Sequence, residues 1–179
     1  MEDKSLFLDE VKIYNSRKLN DERGYLLFPI EKNLLVSYGI DFNIAQINTG
    51  YSISKNTIRG CHFQEKPHEQ AKIVYCLSGR VYSVAVDIRK ESSTFGMWRG
   101  EYLSPDNSKI MYIPKGFAHA YVSLEDNTLL QWCVDEAYEL SLAKSIRFDD
   151  PDIAIDWPIE LSNIIISDKD KNAIFLKDL

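Results

Sequence analysis

Four polar residues that could act together lie within fourteen positions of the sequence: Arg59, His62, Gln64 and Lys72. The residues around them predict one strand, a loop and the start of the next strand. A histidine is available as a base at neutral pH, so this group offers acid–base chemistry beside a cation. Polar groups inside a β-barrel are costly unless they are paired or used. The alternative is that the two cations are solvated at the rim, with His62 packed between them.

The three histidines lack the spacing of a metal centre. His62 and His68 are separated by a stretch typical of a strand end followed by a loop. A metal-binding barrel would bring two or three histidines and a carboxylate together on one strand pair. We therefore expect no catalytic metal. Taken singly, His68 and His119 are more typical of hydrogen-bonded structural residues.

Short strands must position these side chains. Residues 72–88 are largely apolar, β-branched or aromatic and are interrupted by Ser78-Gly79-Arg80, which predicts a hairpin. Similar runs follow, separated by turn-forming residues, at 96–103, 109–113, 118–124 and 128–134. Many short strands at close spacing predict an all-β barrel or sandwich. Weak helical periodicity is confined to residues 31–38 and a turn near residues 140–144.

Length, net charge and cysteine content limit the classes of protein to which this chain can belong. The 179 residues fit a single domain, residues 1–179, with no repeat or linker. The net charge of -6 argues against binding to nucleic acid, so an anionic ligand must meet a local cluster of Lys and Arg. Three cysteines, an odd number in apolar segments, are typical of free thiols in a reducing compartment. Residues 1–5 start no signal-peptide run and no stretch approaches ~20 apolar residues, which predicts a cytoplasmic protein without membrane contact.

Residues 59–64, Arg-Gly-Cys-His-Phe-Gln, resemble the Arg-Gly-Leu-His-Phe-Gln signature of the dTDP-4-dehydrorhamnose 3,5-epimerase family. Other segments similar to this family follow in order along nearly the whole chain, at residues 21–24, 70–72, 84–89, 92–98, 113–119, 149–152, 155–158 and 167–170. The resemblance implies a cupin-type jelly-roll β-barrel, usually a homodimer. It also implies epimerisation of a nucleoside-diphosphate 4-keto-6-deoxyhexose, without a metal or an organic cofactor.

The resemblance extends to individual residues. His62 resembles the general base that removes a proton next to the C4 ketone, and Asp170 resembles the carboxylate that orients its imidazole. Lys72 resembles the cation beside the enolate oxygen, where stabilisation of a charge present only in the transition state raises the rate. Arg59 and Arg23 match family positions that contact the diphosphate or the nucleotide.

Further substrate contacts are expected from four residues: Gln46, Asn48, Trp132 and His119. The first two fall near the family's sugar- and base-contacting stretch, although one extra residue separates that stretch from the signature. Trp132 stands where the family has its general acid, a tyrosine. An indole N–H only donates a hydrogen bond, whereas a phenol with a pKa near ~10 can return a proton opposite the base. Tyr138 matches a second family tyrosine and is the candidate for this catalytic role.

Three further positions are apolar or less rigid than in the family: Phe28 and Ala143 replace glutamates, and Leu140 replaces a proline. We therefore expect an epimerase of altered scope, which inverts only C3 or only C5 and returns the proton from water or Tyr138. One alternative is a full 3,5-epimerase that tolerates Trp132. The other is a catalytically silent barrel that binds a nucleotide sugar.

Overall fold

The computed structural model describes residues 8–179, so residues 1–5, on which the signal-peptide prediction rests, lie outside it. The described chain is built almost entirely from short strands, with two α-helices of one or two turns. In chain order the elements are β1 (Lys12–Asn15), β2 (Arg17–Asp21), β3 (Gly24–Phe28), α1 (Lys32–Ser37), β4 (Gln46–Ser52), β5 (Ile58–Gln64), β6 (Lys72–Ser78), β7 (Val81–Asp87), β8 (Trp98–Leu103), β9 (Lys109–Ile113), β10 (Phe117–Ser123), β11 (Thr128–Val134), β12 (Ala143–Ser145) and α2 (Asp168–Lys171).

The strands form two five-stranded antiparallel sheets that pack face to face. One has the order β1-β9-β6-β11-β4 and the other β12-β5-β10-β7-β8, while β2 and β3 form a separate hairpin. Side chains from alternate positions of both sheets, such as Val74, Ala85 and Leu130, meet in one buried apolar cluster. The all-β barrel class expected from the sequence is therefore confirmed.

The predicted hairpin at residues 72–88 is wrong. β6 pairs with β9 and β11, whereas β7 pairs with β8 and β10, so the two strands belong to different sheets. The turn at Gly79, with a φ of 75°, carries the chain from one sheet to the other. Both faces of β6 are covered, and an apolar run of this kind does not reveal which strand pairs with it.

Helix α1 lies inside the region predicted to be helical, and its buried Leu35 packs against Ile73 and Tyr75 on the outer face of β6. The second prediction is partly wrong, because residues 140–142 form a turn but residues 143–145 form strand β12. The four-residue helix α2 was not predicted, since one turn leaves no periodic signal. Within residues 8–179, no helix is long and apolar enough to cross a membrane.

Candidate active site

A cavity of about 280 Å³ opens between the two sheets. Its walls include all four residues of the polar group identified in the sequence: Arg59, His62, Gln64 and Lys72. Four more of the predicted residues also line it: Asn48, His119, Trp132 and Tyr138. The structure therefore brings the polar group together around one cavity, with Gln64 and Lys72 buried, His62 partly exposed and Arg59 exposed at the rim.

A bulge in β5 allows Arg59 and His62 to share the inner face. His62 lies opposite His119 of β10 and Arg59 lies opposite Tyr121, so two residues of β5 oppose one of β10. Without this extra residue, strict alternation would place positions 59 and 62 on opposite faces. Gly60 occupies the bulge with a φ of 115°, and a Cβ there would lie 2.5 Å from the carbonyl oxygen of His119. Glycine is the residue that this close approach permits.

His62 and Asp170 form the central pair of the site. The Nε2 of His62 lies 2.6 Å from Oδ1 of Asp170, and with Nε2 donating, the lone pair stays on Nδ1. The backbone N–H of Gly60 donates to the other carboxylate oxygen at 3.3 Å. Burial raises the pKa of Asp170, but the hydrogen bond and charge of His62 outweigh it and the pKa is lowered overall. Asp170 therefore remains a carboxylate that orients the ring and stabilises its protonated form.

Lys72 reaches into the cavity from β6, in the sheet opposite His62. Its Nζ donates to the carbonyl oxygen of His62 at 3.1 Å. Burial lowers the pKa of Lys72 to about 8, and no carboxylate in the described part of the chain offsets this effect. An ammonium group has three N–H donors, of which one binds the His62 carbonyl oxygen, so at least one remains to face an oxyanion in the cavity.

His119 is a neutral hydrogen-bonded residue of the cavity wall. Its Nε2 lies 3.0 Å from the Oγ of Ser83. Burial, together with the charges of Lys72 and His62, holds the pKa of His119 well below its usual value. The Nδ1 of His68, by contrast, lies 3.3 Å from Oε1 of Glu136, and His68 does not line this cavity. Of the three histidines, His62 is therefore the one that lines the cavity and also has a carboxylate partner.

The remaining predicted residues lie at the rim or away from it. Tyr138 is about half exposed, and its backbone N–H donates to the side chain of Gln46 at 3.1 Å. Gln46 in turn donates to Asn48 at 2.5 Å, so it supports a residue that lines the cavity. Arg23 lies on the exposed β2–β3 turn, paired with Asp21, and does not line the cavity of its own chain.

Sequence reasoning missed several lining residues, three of which bear on the chemistry of the site. Lys144 and Lys169 join Arg59 around the cavity and supply the local cations that an anionic ligand needs in an acidic protein. Lys169 precedes Asp170 directly, which was a usable signal. Tyr121 also lines the cavity, and its position two residues after His119 in a strand places it on the same face.

The chain matches a known family over almost its whole length. A sequence model for dTDP-4-dehydrorhamnose 3,5-epimerase covers residues 5–178. The chain belongs to this family. The dTDP-4-dehydrorhamnose 3,5-epimerase of Methanothermobacter thermautotrophicus is 39% identical over 167 residues, which cover 92% of this chain and 89% of that relative.

Solved structures of dTDP-4-dehydrorhamnose 3,5-epimerases and related enzymes share the fold. The Bacillus anthracis enzyme, with TDP and PPi bound, superposes with a TM-score of 0.88 at 37% identity, covering 93% of this chain and 94% of that one. ChmJ, a 3'-monoepimerase from Streptomyces bikiniensis in complex with dTDP-quinovose, gives a TM-score of 0.86 at 30% identity over 93% and 84% of the two chains. These matches confirm the cupin-like β fold and the isomerase class implied by the resemblance.

Proposed function

We propose that this chain epimerises a nucleoside-diphosphate 4-keto-6-deoxyhexose and inverts one carbon beside the ketone, C3 or C5. The observation that carries the proposal is the 2.6 Å His62–Asp170 pair facing a cavity that also holds the buried Lys72. The B. anthracis relative binds TDP and the ChmJ structure holds a dTDP-sugar, so dTDP-linked substrates are the first to test.

In the proposed reaction, Nδ1 of His62 removes the proton from the carbon next to the C4 ketone. The electron pair of the C–H bond moves toward the carbonyl and leaves negative charge on the C4 oxygen. The ammonium of Lys72 stabilises this charge, which exists only after proton removal, and so lowers the barrier. Asp170 stabilises the imidazolium formed in the same step.

The restricted scope rests on the composition of the cavity wall. Trp132 lines the cavity, but its indole cannot return a proton to the substrate. Ala143 also lines the cavity and offers no carboxylate. ChmJ, which is similar to this chain, acts at a single carbon by its description as a 3'-monoepimerase. The returning proton must then come from a group other than Trp132, and the sequence suggests Tyr138 at the rim, or water.

Proton exchange tests this proposal directly. The enzyme is incubated in D₂O with dTDP-linked 4-keto-6-deoxyhexoses, and the C3 and C5 protons are followed by NMR. We expect deuterium at one of the two carbons. His62→Asn should slow exchange by about 10²–10⁴-fold, the usual contribution of a general base. His68→Asn is the matched control and should exchange at the wild-type rate, because His68 does not line the cavity.

Other outcomes separate the alternatives. Exchange at both carbons, with a product that a partner reductase consumes, would show a full 3,5-epimerase. Nucleotide-sugar binding without exchange that depends on His62 would show a silent barrel. Absence of exchange with every substrate of this class contradicts the proposed activity.

We also propose that the protein is a homodimer. The β2–β3 hairpin exposes Leu19, Tyr25 and Leu26, and the edge strand β4 exposes Ile47 and Tyr51. Apolar side chains of this number on a hairpin and a sheet edge are typical of an interface. Because Arg23 lies on this hairpin away from its own cavity, we infer that it serves the site of the second copy.

Light scattering and complementation test the dimer. Leu26→Asp should convert the dimer into a monomer, because it places a charge in the proposed interface. In the second experiment, inactive Arg23→Ala and His62→Asn chains are mixed and allowed to exchange subunits. Activity should return, since a mixed dimer contains one site with both native residues. A monomeric wild-type protein, or mixed chains that remain inactive, would contradict this arrangement.

We also propose that the protein is cytoplasmic. Cys61, Cys76 and Cys133 are all buried and free. Thiols that stay unpaired are typical of a reducing compartment.

A further inference from the structure

Inversion at carbon needs a proton donor on the face opposite the base. His62 approaches the cavity from β5, so the donor must act near the opposite sheet, where β4, β6 and β11 form the wall. Trp132 of β11 cannot supply a proton from its indole. Tyr138 carries a phenol, but it is about half exposed at the rim.

Tyr121 is a second phenol in the cavity wall, and its hydroxyl makes no hydrogen bond of normal geometry. The residue is 4% exposed, and no such bond joins its oxygen to any residue among 8–179, although the Ser52 hydroxyl, also buried and unpaired, lies close enough to lower its pKa. Buried hydroxyl groups without a partner are rare in folded proteins and call for a functional or structural explanation. The ring lines the same cavity as His62 and Lys72.

The hydroxyl crosses the barrel to the opposite sheet. A Cβ built on Gly50 of β4 would lie 2.8 Å from the Tyr121 oxygen and 3.2 Å from Cζ3 of Trp132. The phenol oxygen and the edge of the indole therefore both approach Gly50 of β4, although Tyr121 itself belongs to β10. The absence of a side chain at position 50 leaves the space that the hydroxyl occupies.

We propose that Tyr121 is the catalytic acid that returns the proton to the enolate on the face opposite His62. This inference rests on the proposed epimerase activity. As the enolate C=C bond reopens to the ketone, its electron pair forms a new C–H bond with the phenol proton. The products of this step are the inverted sugar, a phenolate and the imidazolium of His62. The phenolate then gains a proton and the imidazolium loses one, which restores the enzyme to its starting state.

The surroundings of Tyr121 suit this role. Burial raises the pKa of Tyr121 and keeps the phenol protonated before the reaction, while the positive charge of Arg59 favours the phenolate formed afterwards. The hydroxyl of Ser52 acts in the same direction as Arg59.

Tyr121→Phe separates proton removal from inversion. In D₂O with an accepted substrate, the variant should still place deuterium at the reactive carbon at a rate close to wild type. His62 is 44% exposed at its side chain, so its proton can exchange with solvent and return to the original face. Formation of the inverted sugar should fall by about 10²–10⁴-fold. The melting temperature should stay the same or rise, because the lost oxygen made no hydrogen bond of normal geometry.

Several outcomes would overturn the assignment. If Tyr121→Phe slows exchange and inversion equally, the residue only supports the shape of the site. If the variant inverts at the wild-type rate, or if Tyr138→Phe alone separates the two processes, Tyr121 is not the acid. These results leave the proposed epimerase activity intact, whereas a wild-type enzyme without any exchange contradicts both.

Discussion

At the scale of single residues, Lys72 has the most informative surroundings in the cavity. A buried ammonium without a carboxylate is costly, and folded proteins normally pair such a charge or let its pKa shift. Burial lowers the pKa of Lys72 to about 8, which leaves the group largely protonated at neutral pH. An enolate oxygen formed in the cavity would supply the missing negative partner.

This predicts an alkaline limit to activity. The value of kcat/KM should fall as pH rises through about 8, because the ammonium that we propose to stabilise the enolate loses its proton there. Lys72→Met should lower kcat/KM by about 10²–10³-fold, the cost of losing one oxyanion donor. Initial rates measured across the pH range test both statements. A wild-type profile that stays flat well above pH 8 would contradict the role of this ammonium.

At the scale of elements, the β5 bulge determines which side chains face the cavity. It turns both Arg59 and His62 inward, and the Gly60 N–H in the bulge also holds the carboxylate of Asp170. The Ser167 hydroxyl at the start of α2 accepts from the backbone N–H of Asp170 at 3.1 Å and caps this helical turn. The position of the His62–Asp170 pair is therefore set by one bulge and one capped helical turn.

Gly60→Ala should destabilise the fold and inactivate the enzyme. The added methyl group would lie 2.5 Å from the carbonyl oxygen of His119, at a φ of 115° that is unfavourable for alanine. We expect a loss of about 2–6 kcal/mol in the free energy of unfolding, the sum of backbone strain and overpacking. Gly39→Ala is the matched control, since Gly39 also has a positive φ but nothing within 4 Å. It should cost only about 1 kcal/mol in denaturant unfolding; equal losses would contradict the crowding argument.

At the scale of the whole molecule, a buried carboxylate joins distant parts of the chain. Asp87 at the end of β7 accepts hydrogen bonds from Arg89, Ser92 and Thr94, and Arg89 also binds Glu10 near the start of the described chain. Burial raises the pKa of Asp87, but these hydrogen bonds outweigh it and set the pKa at about 2. The folded state therefore binds this proton less readily than the unfolded chain does.

Asp87 should make stability depend on pH under acidic conditions. Since its folded pKa is depressed, its contribution is present above the ordinary pKa near ~4 and is lost as pH falls toward 2. Its size is about 2 kcal/mol by linkage. Asp87→Asn should remove this part of the pH dependence in urea unfolding, whereas the exposed control Asp156→Asn should retain it. An unchanged pH dependence in Asp87→Asn would show that this carboxylate is not responsible.

The sequence by itself determined the classes of structure and the chemical groups. Alternation, turn residues and β-branched content predicted the strands, and helical periodicity predicted α1, because these patterns depend on neighbours in the chain. The residues Arg59, His62 and Lys72 were identified from their types and spacing. Their assembly with Asp170, more than a hundred positions beyond His62, came only from the family resemblance.

Tertiary structure decided which strands pair and which side chains meet. It placed β6 and β7 in different sheets. The sequence could not predict this, because the residues of a strand that is covered on both faces do not indicate which strand pairs with it. The bulge that turns Arg59 and His62 to one face also depends on register with β10, which no local pattern specifies. The sequence does not single out Tyr121 for the same reason, since only the tertiary structure places its hydroxyl near Gly50 and Trp132 on the other side of the barrel. Residue types are local properties, whereas pairing, register and contacts across a core depend on the whole chain.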